Sequence, residues 1–106
     1  MKPSSYFRMD GRLGLPVPAL QKEWEEYAKE EQDAILCRWE QIRGSIPDLI
    51  KAREAIINEK QASLEQEDDF IKSCELNAQI ADNASIINDL WLLYRTHQDI
   101  SSKIHM

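Results

Sequence analysis

The sequence predicts an all-α fold, a bundle of three or four helices built on an antiparallel helical hairpin, with an irregular N-terminal arm. All the glycines and prolines of the 106-residue chain lie in two short zones, residues 3–18 and 44–47. Gly and Pro are the strongest breakers of regular structure, so the stretches 19–43 and 48–106, which contain neither, are expected to be helical. Both stretches are rich in Ala, Leu, Glu, Lys, Gln and Ile, a composition that favours helix over strand.

These breaks predict a single domain in three parts. Residues 1–18 form an irregular basic arm, residues 19–96 a helical domain, and residues 97–106 a tail that frays because the apolar rhythm stops there. Hydrophobic residues make up 42% of the chain and charged residues 30%. That balance is typical of a chain that folds, since enough apolar surface is present to offset the entropy of ordering.

The first helical segment is expected over residues 19–43. Its apolar residues recur at spacings of three, four and seven, on one helix face: Leu20, Trp24, Ala28, Ile35, Trp39 and Ile42. The stripe is weak at Glu31, which leaves open one helix or two, with a break near residues 27–30. Gly44 to Pro47 then allow two alternatives, a turn with Gly44 as a left-handed cap or a kink in a continuous helix.

Two further helices are expected over residues 47–66 and 69–96, packed as an antiparallel hairpin with 19–43 across it. Between them, residues 65–69 hold four acids and no apolar anchor. Acidic side chains are favourable at a helix N-terminus, where Asp68 or Asp69 can cap the next helix. The cluster therefore predicts a tight turn between the two helices.

The last helix carries a regular apolar seam that predicts a helix partner. Its members follow 4-3-4-3-4 spacing: Leu76, Ile80, Asn83, Ile87, Leu90 and Tyr94. Asn83 is the single polar member, and a lone Asn in such a seam fixes register at some cost in stability. Asn83 is therefore predicted to set the register. A neighbouring face of small residues is expected to admit a second helix closely: Cys74, Ala78, Ala81 and Ser85.

Charge and hydropathy exclude several classes of function. The formal net charge is −6, which argues against non-specific nucleic-acid binding. Acidic zones at residues 23–40 and 65–82 are interpreted as solvated helix faces, with a mimic of nucleic acid as the alternative. The longest apolar run has five residues, far short of the ~20 of a membrane span. Without a secretory signal, a cytoplasmic location is expected.

Few residues suggest chemistry. Cys37 and Cys74 have no paired neighbours of the kind a zinc site requires, so both are expected to be free, reduced thiols packed as small core residues. The two histidines, His97 and His105, fall in the expected tail and form no metal-ligand motif. No cofactor is predicted.

One enzymatic alternative rests on carboxylates. Five acids lie on helices that could face each other: Glu30, Glu31, Glu59, Glu75 and Asp82. Clustered carboxylate oxygens suit Mg²⁺, and all-helical nucleotide pyrophosphohydrolases hold magnesium in this way. These acids lie mostly off the apolar stripes, however, whereas metal ligands must converge inside a bundle.

The preferred hypothesis is a non-enzymatic, small helical protein–protein interaction module, a regulator or adaptor, that forms a homodimer. Residues 90–94 cover the whole circumference of a helix with apolar side chains, more than one neighbouring helix can bury. Trp91, Leu92 and Tyr94 are therefore predicted interaction residues, with Tyr6 and Phe7 from the arm. In the alternative, the arm folds back within a monomer and covers the same patch.

Overall fold

The computed structural model describes residues 6–104, with side chains up to Arg95. Three helices dominate it, so the predicted helical character is confirmed. In chain order the elements are strand β1 (Phe7–Asp10), strand β2 (Leu15–Pro18), a 3-10 turn (Trp24–Glu26), helix α1 (Lys29–Gly44), helix α2 (Ile46–Glu65) and helix α3 (Phe70–Ile104).

The predicted irregular arm is wrong for residues 7–18, which form an antiparallel β-hairpin. Phe7 lies opposite Pro18, and Asp10 lies opposite Leu15. The Asp10 carboxylate accepts hydrogen bonds from the backbone N–H groups of Arg12 and Leu13, at 3.0 and 2.9 Å. Gly14 closes the loop with a φ of +82°, a conformation that costs a residue with a Cβ about 1–2 kcal/mol. The hydrogen bonds of the turn therefore allow residues 7–18 to form regular structure despite their Gly and Pro content.

The first helical segment is broken in the region where its apolar stripe weakens. Tyr27 and Ala28 have extended backbone conformations, and α1 begins only at Lys29. Tyr27 is buried, and its hydroxyl accepts hydrogen bonds from the N–H groups of Gln21 and Lys22, at 3.1 and 3.3 Å. This side chain holds the segment before α1 in a non-helical path.

The junction between α1 and α2 is a bend and not a reversing turn. Ser45 keeps right-handed helical angles, with φ −85° and ψ −13°, so the backbone hardly departs from helix. Its N–H bonds to the Ile42 carbonyl at 3.0 Å, and its carbonyl accepts from Leu49 at 3.2 Å. Pro47 has no N–H to donate, which is the usual cause of such bends. Of the two alternatives, the kink is the one observed, and Gly44 is not left-handed, since Gly14 is the positive-φ glycine of the described residues.

Helices α2 and α3 form an antiparallel pair joined by a turn at residues 66–69. Lys60 Nζ donates to Gln79 Oε1 at 2.8 Å, and Arg53 Nη1 donates to Asn83 Oδ1 at 3.0 Å, so residue numbers fall on one helix as they rise on the other. The Asp69 carboxylate accepts from the N–H of Lys72 at 3.1 Å. This is the N-terminal cap that the acidic cluster predicted.

The fully packed interior lies at one end of the molecule, where the β-hairpin, α1, the start of α2 and the second half of α3 meet. The main cluster combines residues from all four elements: Leu13, Leu15, Trp39, Ile42, Ile46, Ile50, Ile86 and Leu90. A smaller cluster of Tyr6, Tyr27 and Ile35 adjoins Phe7 and Trp24. Phe7 also stacks on Trp39 with ring centroids 6.5 Å apart.

The molecule is elongated, with principal extents of 60 × 23 × 17 Å. Within the described residues, none of the helices combines the length and the hydropathy that a membrane crossing requires. The backbone of α3 continues to Ile104, past the end expected at Thr96. The predicted frayed tail, residues 97–106, falls on residues whose side chains lie outside the described part, and it stays a prediction.

Candidate interaction surface on helix α3

Helix α3 has two apolar or small stripes on neighbouring sides. The predicted seam faces α2: Asn83 and Leu90 are buried, and the other four members are half-buried. A second stripe lies about 100° around the helix from the seam, because most of its members directly follow a seam residue. It has the same spacing of four and three: Phe70, Cys74, Asn77, Ala81, Ala84, Asn88 and Trp91. We call this second stripe, with the adjacent Leu92, the outer face.

Every residue of the outer face is exposed. Phe70 is 80% exposed, and Trp91 and Leu92 are 40% and 48% exposed. None of them is charged, although the face extends about 32 Å along the helix at 1.5 Å per residue. Solvated faces of surface helices normally carry charged side chains. An uncharged exposed face with aromatic residues at both ends is typical of a surface that is covered by another molecule.

The charged residues of α3 lie on other sides of the helix, and one of them, Asp89, binds the β-hairpin. Arg12 forms an ion pair with Asp89 at 2.6 Å, and its other terminal nitrogen donates to Ser85 Oγ at 2.9 Å. Leu13 and Leu15 join Ile86 and Leu90 in the main cluster. The hairpin therefore covers the side of α3 that carries Ser85 and Asp89 and leaves the outer face open.

Aromatic and cationic contacts fix the end of the outer face. Trp91 meets the edge of Tyr94, with ring centroids 5.9 Å apart and the rings nearly perpendicular. Arg43 lies over the other aromatic ring of this group, its guanidinium carbon 4.3 Å from the Tyr94 centroid. Arg43 Nε also donates to the Tyr94 carbonyl at 3.2 Å. Trp91 thus packs on Tyr94, which Arg43 connects to the end of α1.

The predicted interaction residues divide into two groups. Trp91 and Leu92 are exposed on α3, and Tyr94 is half-buried beneath them. Tyr6 and Phe7 contribute instead to the protein's own interior. Tyr6 is 7% exposed, packs edge-on against Tyr27 and donates its hydroxyl to Glu31 Oε2 at 2.8 Å. The arm does fold back, as the monomer alternative expected, yet Trp91 and Leu92 remain exposed.

The pKa of one buried side chain, Tyr6, is shifted from its ordinary value. Burial, reinforced by the hydrogen bond to the Glu31 carboxylate and by its negative charge, raises the pKa of the Tyr6 phenol above its ordinary value of 10.0. Each of these causes disfavours the phenolate. Tyr6 is therefore a neutral hydrogen-bond donor at physiological pH, which is a structural role.

Asn83 lies where the seam predicted it. It is 7% exposed, its amide donates to the Gln79 carbonyl at 2.8 Å, and its oxygen accepts from Arg53 of α2. The Asn83 side chain therefore connects α3 to α2 at one position along their length. Its role in setting the register stays a prediction.

The two cysteines are free thiols, but the expectation that they pack in the core is wrong, because both are exposed. Cys37 lies two residues from each of Ile35 and Trp39, so the turn of α1 directs it away from the face they share. Cys74 belongs to the outer face. The predicted small-residue face is likewise exposed at Cys74, Ala78, Ala81 and Ser85, and Arg12 rather than a helix meets its Ser85.

The carboxylates of the magnesium alternative are dispersed. Glu31 is engaged by Tyr6, while Glu30, Glu59, Glu75 and Asp82 are exposed on three different helices. Across the described residues, His, Cys, Asp and Glu side chains form no group of three or more that could hold a metal ion. The two acidic zones also lie apart, one on α1 and its approach and the other around the α2–α3 turn.

Two shallow grooves lie elsewhere on the described surface. One, of about 300 Å³, lies beside the α2–α3 turn between Ser63, Lys72 and Glu75. The other, of about 210 Å³, lies between the hairpin and Arg38. The groove beside the turn is lined mainly by polar side chains, with Glu67 and Gln79 among them, and the groove beside Arg38 is mainly apolar.

Comparison of the chain with protein-family models, with curated protein sequences and with solved structures gave no match.

Proposed function

We propose that this protein is a non-enzymatic helical protein–protein interaction module that works as a homodimer held by the outer face of α3. The observation that carries the proposal is the exposure of Phe70, Trp91 and Leu92 on a face without charge. Large aromatic side chains dominate the energetics of protein interfaces. Twofold self-association is the commonest way in which such a face is covered.

The area of the outer face is that of a weak dimer. A face about 32 Å long on a helix about 10 Å across has an area of about 320 Å² per copy, hence about 640 Å² in the pair. That value lies below the ~1,200 Å² of stable specific interfaces, so the dimer is expected to form in a concentration-dependent way. A dimer would also bring two α2–α3 hairpins together, so that four helices share one interior, as in a helical bundle.

As a regulator or adaptor, such a dimer would present two copies of its remaining surface to a further protein. The surface outside the outer face carries most of the acidic residues, including Glu30 on α1 and Asp68 in the α2–α3 turn. A strongly acidic surface favours a basic partner through long-range attraction.

Sedimentation equilibrium at micromolar concentration tests the proposal. We expect the protein to have twice its chain mass of 12.3 kDa and Trp91→Glu to have the monomer mass, because a carboxylate would be buried in an apolar interface. Met9→Glu is the matched control, since Met9 is 64% exposed on the hairpin, away from α3. A parent protein of monomer mass at this concentration would overturn the proposal, as would a dimer that Trp91→Glu leaves intact.

A further inference from the structure

We infer that the two copies pair through α3 in antiparallel orientation, with the twofold axis between Ala81 and Ala84. This inference rests on the proposed function, because it names the register of the same surface. It is carried by the order of residues along the outer face, by the charges at its two ends and by the shape of the molecule.

The central residues of the outer face are symmetric about the point between Ala81 and Ala84. Asn77 and Asn88 lie at equal distances on either side of this point. The alanines allow the helix axes to approach closely there, because interaxial distance depends on side-chain size at the contact. A twofold axis at this point sets Ala81 of one copy against Ala84 of the other.

The intervening positions match under the same symmetry. Asn77 of one copy faces Asn88 of the other, and two amides can satisfy each other's donors and acceptors. Cys74 then lies against the partner's Trp91, and sulfur–aromatic contacts are favourable. These pairings occur twice, once in each half of the interface.

Charge decides between antiparallel and parallel pairing. Arg95, exposed one helical turn beyond Trp91, is the first charged residue that continues the outer face. In the antiparallel register it meets the partner's Phe70 and the acidic turn of residues 65–69, which holds four acids. Parallel pairing would set the two acidic turns against each other, and like charges so placed oppose association.

The uneven thickness of the molecule also favours antiparallel pairing. The β-hairpin and α1 widen the end that carries Trp91, whereas only α2 and α3 extend to the end that carries Phe70. Antiparallel pairing places the thin end of each copy beside the thick end of the other. The two outer faces then meet along their whole length without contact between the two hairpins.

Cysteine cross-linking with a short bismaleimide tests the register. All variants carry Cys37→Ser, so that one thiol remains in each chain. Ala81→Cys in a Cys74→Ser background lies near the axis, and we expect it to cross-link into a covalent dimer. Native Cys74 is about 25 Å from its symmetry mate in this register at 1.5 Å per residue, so we expect it to stay monomeric. Ala55→Cys with Cys74→Ser, on an exposed position of α2, is the matched control.

A second test of the register reverses the charges of Arg95 and Asp68. Arg95→Glu is expected to weaken the dimer about fivefold, the effect of losing exposed ion pairs. Asp68→Arg in the same chain is expected to restore it, because Asp68 is exposed and Asp69, not Asp68, caps α3. The change is read as the dimer dissociation constant at low salt.

The outcomes separate the register from the proposed function. A dimer in which Cys74 cross-links as efficiently as Ala81→Cys is parallel and would overturn the antiparallel register while the homodimer stands. A dimer in which neither thiol cross-links, or in which Asp68→Arg fails to rescue Arg95→Glu, would likewise overturn the register. A monomer in sedimentation would overturn the proposed function itself.

Discussion

The two ends of this molecule are built differently from the same helices. At the base, formed by residues 6–50 and 83–94, the β-hairpin and α1 cover α2 and α3, and every buried hydrophobic residue of the described chain lies there. In the shaft, residues 51–82, the two helices have only each other. Their facing side chains are half-buried: Ile56, Ile57, Leu64, Leu76 and Ile80.

The comparison shows what a third element contributes. Two helices can bury one stripe each and leave both outer sides in water, so an isolated pair gains little from burial. The hairpin adds a second contact to α3 at the base, where Leu90 becomes fully buried. Among the described residues the shaft has no such element, and in the proposed dimer the partner's α3 supplies it.

The largest expected effect distinguishes the base from the shaft. Leu90→Ala should destabilise the protein by about 3 kcal/mol, because Leu90 is fully buried and its removal leaves a cavity. Leu76→Ala, at a half-buried seam position two turns from the start of α3, should cost about 1 kcal/mol. Urea unfolding measures both. Equal losses would contradict the division into base and shaft.

A second comparison uses arginines on one helix. Arg43→Met keeps most of the volume but removes the cation–π contact and the hydrogen bond to Tyr94. We expect a loss of about 2 kcal/mol, since these interactions are largely shielded from water. Arg38→Met is the control, since Arg38 is exposed on the same helix, and it should change the stability by less than about 0.5 kcal/mol. Similar melting temperatures for the two variants would exclude Arg43 as a fixed support for Trp91.

The boundary between base and shaft is tested at Asn83. A double-mutant cycle of Arg53→Ala and Asn83→Ala should give a coupling energy of about 1 kcal/mol, the value of a hydrogen bond from a half-buried charged donor. Asn83→Leu should loosen the register and produce a second set of amide signals for α2 by NMR. A coupling energy near zero would mean that the two helices keep their register without this pair.

The smallest expected effect is a pH dependence confined to the base. A raised Tyr6 pKa means that the folded state holds the phenolic proton more tightly than the unfolded state. The contribution is therefore complete below pH 10 and is lost as the pH rises through the folded-state value. Melting temperatures of the parent protein and Tyr6→Phe should differ by a constant amount up to about pH 9 and converge above pH 10. A constant difference up to pH 11 would contradict this assignment.

The helical part of the fold could be predicted because its signals are local. The segregation of Gly and Pro marked the breaks, and the acidic cluster marked the turn that Asp69 caps. The β-hairpin differs from the predicted irregular arm because its second strand, Leu-Pro-Val-Pro, contains two prolines, which normally interrupt regular structure. The sequence signal for it is the Asp10-Gly11 dipeptide, a typical turn pair, whose Asp10 carboxylate accepts from the Arg12 and Leu13 amides.

Only one end of the candidate surface could be predicted from the sequence. The run of apolar residues at 90–94 identified Trp91 and Leu92, which are exposed. The spacing from Phe70 to Trp91 is present in the sequence, but Ala, Asn and Cys do not form an apolar stripe, and the predicted small-residue face shares only Cys74 and Ala81 with it. Tyr6 and Phe7 could not be placed, because their packing against Tyr27 and Trp39 depends on the hairpin.

The ion pair between Arg12 and Asp89 joins residues 77 positions apart, and this separation has a consequence for folding. The α2–α3 pair can form from neighbouring segments, whereas the base needs contacts between the two most distant described parts of the chain. Contacts of high sequence separation form slowly, because the intervening loop must close first. During synthesis the cluster that contains Leu13 and Leu15 therefore stays incomplete until Ile86 and Leu90 have been made, and this interval is when the chain is most exposed to aggregation.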